Sequence, residues 1–153
     1  MKKYSKPFCG FTTALASIIL LAGCGTNVNG TYNTKATVDV PYGETVLKLD
    51  HYYSLTLDGN NYDFILSVDI SGGFATTIGY DGTCSVEDDI VTLKDVSHYY
   101  TYSSRILTDE NGTKSLEIDY DTKSETDIPE GFDVTANGKW KIDVENKTMT
   151  AVK

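Results

Sequence analysis

Apolar and polar residues alternate with a period of two along most of the chain beyond residue 29. Tyr32, Thr34, Ala36, Val38 and Val40 share one face, and Asn33, Lys35, Thr37 and Asp39 share the other. This alternation predicts a half-buried strand. Pro41 and Gly43 end it, because proline lacks the amide donor of a ladder and glycine admits a turn. The strongest hairpin signal follows: residues 53–57, then Asp58-Gly59-Asn60-Asn61, then residues 62–70. Asp-Gly and Asn-Asn tolerate positive φ, so the turn has a physical cause. In the second arm Tyr62, Phe64, Leu66, Val68 and Ile70 alternate with Asp63, Ile65, Ser67 and Asp69. Phe64, Leu66, Val68 and Trp140 are therefore expected inside, with Asp63, Ser67 and Lys141 facing water.

Gly72-Gly73 interrupts the pattern, and a strand from about 75 to 86 carries Ile78, Tyr80, Cys84 and Val86, with Gly79 and Gly82 inside it. Interior glycines of a strand mark bulges or sharp curvature. Glu87-Asp88-Asp89 reads as a turn into residues 90–93. A third hairpin runs through residues 98–107, turns at Asp109-Glu110-Asn111-Gly112 and returns through Leu116, Ile118 and Tyr120. Residues 121–131, a long polar stretch, read as a loop. The chain closes with residues 140–144, a turn at Glu145-Asn146-Lys147, and residues 148–152. Nothing after residue 29 shows helical spacing over three turns, so the predicted class is an all-β antiparallel domain.

The first 23 residues follow a different pattern. Lys2, Lys3 and Lys6 precede an apolar run from about Phe11 to Leu21, short of the roughly 20 residues a spanning helix needs. A charged start, an apolar run and small residues at 22 and 23 form an export signal. Leu21-Ala22-Gly23-Cys24 resembles the lipobox of bacterial lipoprotein precursors at all four positions. The resemblance implies cleavage before Cys24, acylation of its sulfur with a fatty acid such as palmitate, and anchoring in a membrane of the bacterial cell envelope. The expected organisation is a signal peptide over 1–23, a lipidated tether over 24–29 and a barrel domain over 30–153.

Three segments open alike: Gly30-Thr31-Tyr32, Gly82-Thr83-Cys84-Ser85-Val86 and Gly138-Lys139-Trp140-Lys141-Ile142. A glycine before a large inward residue lets a strand curve while the side chain plugs the core. These openings resemble the Gly-x-Trp signature of lipocalins, and still more the Gly-Thr-Tyr hairpins of small lipocalin-like domains in bacterial lipoproteins. Tyr32 and Cys84 stand where those proteins carry aromatic residues, tryptophan in the first case. The resemblance implies an up-and-down antiparallel β-barrel, lipocalin-like (calycin-like), of about eight to ten strands, whose interior is a cup for an apolar ligand. The large inward residues Tyr53, Phe64, Leu66, Tyr100 and Trp140 favour an interior filled by the protein itself.

Composition narrows the functions. Loss of Lys2, Lys3 and Lys6, with no acid among residues 1–23, takes the net charge from −9 to −12 over the 130 residues from Cys24 onward. Such a surface repels phosphate backbones, which excludes nucleic acid, and leaves the acyl chains as the membrane attachment. Cys9 leaves with the signal and Cys24 carries lipid, so Cys84 has no disulfide partner and reads as a small core residue. His51-Tyr52-Tyr53 and His98-Tyr99-Tyr100 echo each other, each entering a hairpin. His51 shares a face with Tyr53, and His98 with Tyr100 and Tyr102, which makes these five the candidate ligand contacts. Two histidines alone are short of a metal site, and no nucleophile–base pair, phosphate loop or cofactor motif is present. The expectation is a non-catalytic binding or interaction module for a small apolar ligand or a protein or glycan partner, with no cofactor.

Overall fold

The computed structural model describes residues 27–71, 73–132 and 138–152; the expected signal and Cys24 lie outside this range. Eight strands follow in order: β1 (Gly30–Tyr42), β2 (Thr45–Asp58), β3 (Asn61–Ser71), β4 (Phe74–Glu87), β5 (Ile90–Thr108), β6 (Lys114–Thr126), β7 (Lys139–Asp143) and β8 (Thr148–Ala151). Among the described residues there is no helix.

Short turns join the first six strands. Gly43 and Gly59 take positive φ (60° and 59°) at the first position of their two-residue turns, and Asp88 takes 55° between β4 and β5. At the β5–β6 turn the Asp109 carboxylate accepts the amides of Asn111 and Thr113 at 2.8 and 2.7 Å. Asp143 does the same for Asn146 at 2.9 Å before β8.

The ring β1–β2–β3–β4–β5–β7–β8 closes a seven-stranded barrel, with β6 outside it. Closure falls to a parallel contact, Asn33 against Thr148, with the Asn33 amide donating to the Lys147 carbonyl at 3.0 Å. The barrel is thus mixed, where an antiparallel up-and-down plan of eight to ten strands was expected. Seven strands that alternate in direction leave the first and last running the same way, so their seam must be parallel. The odd number arises from β5, 19 residues long. Its lower end pairs with β7 (Ile90 to Lys141) and its upper part with β6 (Ser104 to Ile118), both along one edge.

One face of the sheet fills the barrel. Tyr32, Leu55, Leu57, Tyr62, Phe64, Tyr80, Cys84, Val91, Leu93, Trp140, Ile142 and Met149 are all buried together. Trp140 lies 5.4 Å from Tyr53 and 5.5 Å from Phe64, ring centre to ring centre, and Phe64 lies 5.2 Å from Tyr80. These distances are those of packed aromatic pairs. Leu66 and Val68, expected in the core, are only half-buried, because the closing strands β7 and β8 are too short to cover their level.

On β3 the opposite face was expected to meet water, and part of it does not; Tyr100 of β5, expected to fill the barrel, lies on this face instead. Ile65, Tyr100 and Tyr102 form a second buried cluster, with Ile118 of β6 packed on it. Ser67, read as exposed, is 0 % exposed and shares a hydrogen bond of 2.7 Å with Thr77, whose hydroxyl meets Ser104 in turn. The cause is β6. Residues 121–126, read as part of a loop, extend this strand, and the sheet curls so that β6 stands across β3. Lys114 of β6 reaches Asp69 of β3 at 3.0 Å.

Gly82 and Gly79 permit these packings. The β4–β5 register shifts on both sides of the Gly82–Val96 pair. A Cβ at Gly82 would overlap the Asp95 carbonyl oxygen and lie 2.8 Å from its carbon. A Cβ at Gly79 would lie 2.5 Å from the Tyr102 ring.

Candidate functional site

The five candidate contacts separate into two groups. His51 and Tyr53 sit on the barrel-interior face, both half-buried, where the closed ring ends. His51 Nδ1 and the Tyr53 hydroxyl are 3.1 Å apart. Burial lowers the His51 pKa and raises that of Tyr53. Tyr53 packs on Phe64 and Trp140, so this pair caps the filled core.

His98, Tyr100 and Tyr102 lie on the opposite face. His98 Nδ1 stands 3.0 Å from Asp81 Oδ1, and Tyr100 donates its hydroxyl to Asp81 Oδ2 at 2.6 Å. The His98 ring stacks on Tyr100 with centres 6.0 Å apart. Tyr102 continues the row, with Tyr120 edge-on to it at 5.4 Å and the Lys123 ammonium 4.5 Å above the Tyr100 ring. Burial first, then the hydrogen bond to Asp81, pushes the Tyr100 hydroxyl up; burial does the same to Tyr102. The two histidines therefore do not converge. Both faces of β5 are apolar: Val91, Leu93 and Tyr99 belong to the barrel core, Tyr100 and Tyr102 to the second cluster. Where both faces are apolar, sequence alternation groups residues by face without saying which face is inside. Among the described residues no three His, Cys, Asp or Glu side chains gather as metal ligands.

Beside the second cluster runs a cleft that sequence reading did not anticipate. It has a volume of about 430 Å³ and opens between β1, β2 and β6. Tyr52, Ser54 and Ile65 form one wall, and Leu116, Ile118 and Tyr120 of β6 form the other. Asn33, Thr34 and Tyr53 complete the lining, which includes no Lys, Arg, His, Asp or Glu. Lys35 lies over the outer part of Tyr52, 5.2 Å from the ring centre, and is held at 2.9 Å by Asp50. Tyrosine supplies apolar area with a polar tip, and Tyr52 and Tyr120 stand on opposite walls of the cleft. A signal was present in the sequence: Leu116, Ile118 and Tyr120 form an apolar row that has to face something.

Deeper on the same face, Asp63 has one carboxylate oxygen buried with no hydrogen-bond partner among the described residues. Burial, then the nearby Asp81 charge, raises its pKa.

The class defined by this geometry is an all-β protein with a closed seven-stranded mixed barrel and an external, tyrosine-bearing cleft. No protein-family profile, curated protein or solved structure matches the chain.

Proposed function

We propose that the protein is a lipid-anchored, non-catalytic binding module of a bacterial cell envelope. Its ligand lies in the cleft between β6 and the β1–β2 hairpin. The seven-stranded barrel then serves as scaffold rather than as cup. One observation carries the proposal: the barrel interior is packed by Trp140, Tyr53, Phe64 and Tyr80, while the uncharged, tyrosine-lined cleft outside it stands open. At about 430 Å³ the cleft falls in the range of roughly 300–1,000 Å³ typical of small-ligand sites. A lining of tyrosines, aliphatic residues and small polar groups suits a neutral amphipathic molecule, such as a glycan or a peptide segment. The tether supports the same function, since a protein held at a membrane meets surface ligands at high effective concentration, where modest affinity suffices.

Asp81 and His98 are paired, but the hydroxyl nearest to them, that of Tyr100, already donates to the same carboxylate and is held protonated by burial. The trio lacks the activated nucleophile that covalent catalysis requires. An apolar ligand in a hollow barrel is the competing possibility, and it needs space that the aromatic cluster occupies.

The test uses octyl glucoside below its micelle concentration, a neutral probe with a sugar head and an apolar tail. Binding to the mature chain carrying Cys24→Ser should weaken at least tenfold in Tyr120→Ala and be unchanged in Trp140→Phe. The opposite pattern would place the ligand inside the barrel. Turnover of ester, glycoside, peptide or phosphate substrates that vanishes in His98→Ala would make the protein an enzyme.

A further inference from the structure

The barrel-interior face of β1–β4 continues above the level where β7 and β8 close the ring. There it carries Val38, Val40 and Tyr42 of β1, Leu47 and Leu49 of β2, Val68 and Ile70 of β3, and Phe74 and Ile78 of β4. No Lys, Arg, Asp or Glu interrupts this block; the first charges on the face are Arg105 and Glu117, ion-paired at its far border. The other face of the same strands carries Lys35, Asp39, Lys48, Asp50 and Asp69. The apolar row thus runs to the hairpin tips, with Val46 exposed on the other face, yet no described element covers the apolar side. Tyr42 is 70 % exposed, Ile70 57 % and Phe74 73 %.

We propose that a second copy of the chain covers this face, two sheets packing side by side as a sandwich on the membrane. Three features favour a like partner. First, with Leu47 and Leu107 also exposed, the face presents roughly 600–800 Å², close to the about 800 Å² each partner contributes to a standard stable interface. Second, a face without charge can meet itself although each mature chain carries −12, because the acids lie elsewhere; depletion of charge is the mark of an interface core. Third, a two-fold axis along the strands keeps both Gly30 ends on one side, so both tethers reach the same bilayer. Packed sheets align within about 30° and lie about 10 Å apart, which this arrangement satisfies. The tip-to-tether direction follows from topology: the β1–β2, β3–β4 and β5–β6 turns share the end opposite Gly30. The pairing uses the face opposite the ligand cleft; it rests on the membrane anchoring in the proposed function and not on its ligand site, and recovery of the protein in the membrane fraction, checked before cross-linking, tells the two failures apart.

The test is made on the full-length, lipidated protein in its own membranes. A bis-maleimide of about 10 Å span is applied to Ile70→Cys and Leu49→Cys, with Asp39→Cys and Lys48→Cys as controls on the other face of the same strands. Cys84 is buried and its thiol pKa is raised by burial, so its protection from the reagent reports that each variant is folded. A product of twice the monomer mass, at least tenfold stronger from positions 70 and 49 than from the controls, and lost on adding Phe74→Glu, is the expected result. Equal products from both faces, a product of another mass, or no product from protected, folded protein would overturn the proposal.

Discussion

Replacing Gly82 by Ala tests the packing of β4 on β5 with a single methyl group. An alanine in a strand is ordinarily the better residue, by about 0.5–1 kcal/mol, because glycine loses more conformational freedom on folding. Here the added Cβ would overlap the Asp95 carbonyl oxygen and lie 3.0 Å from the Tyr62 hydroxyl. The obstacle is backbone, in the irregular stretch of β5 between Leu93 and Val96, and no rotamer change moves it. β5 must shift away from Gly82, disturbing Tyr62, Cys84 and Val96 in the core. Overpacking costs about 1–3 kcal/mol, and a weakened ladder bond adds about 0.5–1.5. The sum outweighs the intrinsic gain and leaves a net loss of about 2 kcal/mol, within a span of about 0.5–4, a large share of the 5–15 kcal/mol typical of a folded domain. Gly79→Ala is the control. Its nearest obstacle is the edge of the Tyr102 ring, which can tilt, so about 1 kcal/mol is expected. Urea denaturation of the mature chain carrying Cys24→Ser measures both. A Gly82→Ala protein as stable as wild type, or more stable than Gly79→Ala, would refute the packing of Asp95 on Gly82.

Trp140→Ala should cost about 3–5 kcal/mol by emptying the centre of the aromatic core, whereas the exposed Ile128→Ala should stay within about 0.5, measured by the same denaturation. His51 should titrate below 6.5 by NMR. Because burial lowers its folded value, the unfolded chain takes up the proton first; His51 supports stability fully above about 6.5, and this is lost as pH falls through the folded value. Cys24→Ala should leave unprocessed precursor or release the protein from membranes, read by fractionation and mass spectrometry; wild-type protein found mature, unacylated and unbound would end the lipoprotein assignment.

Local signals in the sequence located most of the strands and turns. The turn at Asp58-Gly59-Asn60-Asn61, the Asp109–Gly112 turn and the terminal hairpin each rest on residues whose backbone or side chain makes the turn by itself. Inward assignments of Tyr32, Phe64 and Trp140 followed from period two in the same way. What escaped depends on partners distant in sequence. Ser67 is polar and reads as exposed, but its hydroxyl is satisfied by Thr77, ten residues on, and β6 covers it. Residues 121–126 are polar on both faces and read as a loop, yet the upper edge of β5 offers them a ladder. The parallel β1–β8 seam follows from the count of strands in the ring, which no local pattern encodes. Of the candidate site, the tyrosines were visible but their sides were not. Tyr53 and Tyr100 share the same local motif and separate only when both faces of β5 are seen to be buried.

A methyl spectrum of the mature chain carrying Cys24→Ser, recorded while octyl glucoside is titrated in, addresses the filled barrel and its external cleft together. Ile65, Leu116 and Ile118 line the cleft, and Val91, Leu93 and Ile142 lie in the barrel core. With the ligand site outside, the first three shift progressively and the second three hold still. Shifts concentrated on Val91, Leu93 and Ile142, with the cleft methyls unmoved, would show a ligand inside the barrel and contradict the proposed function.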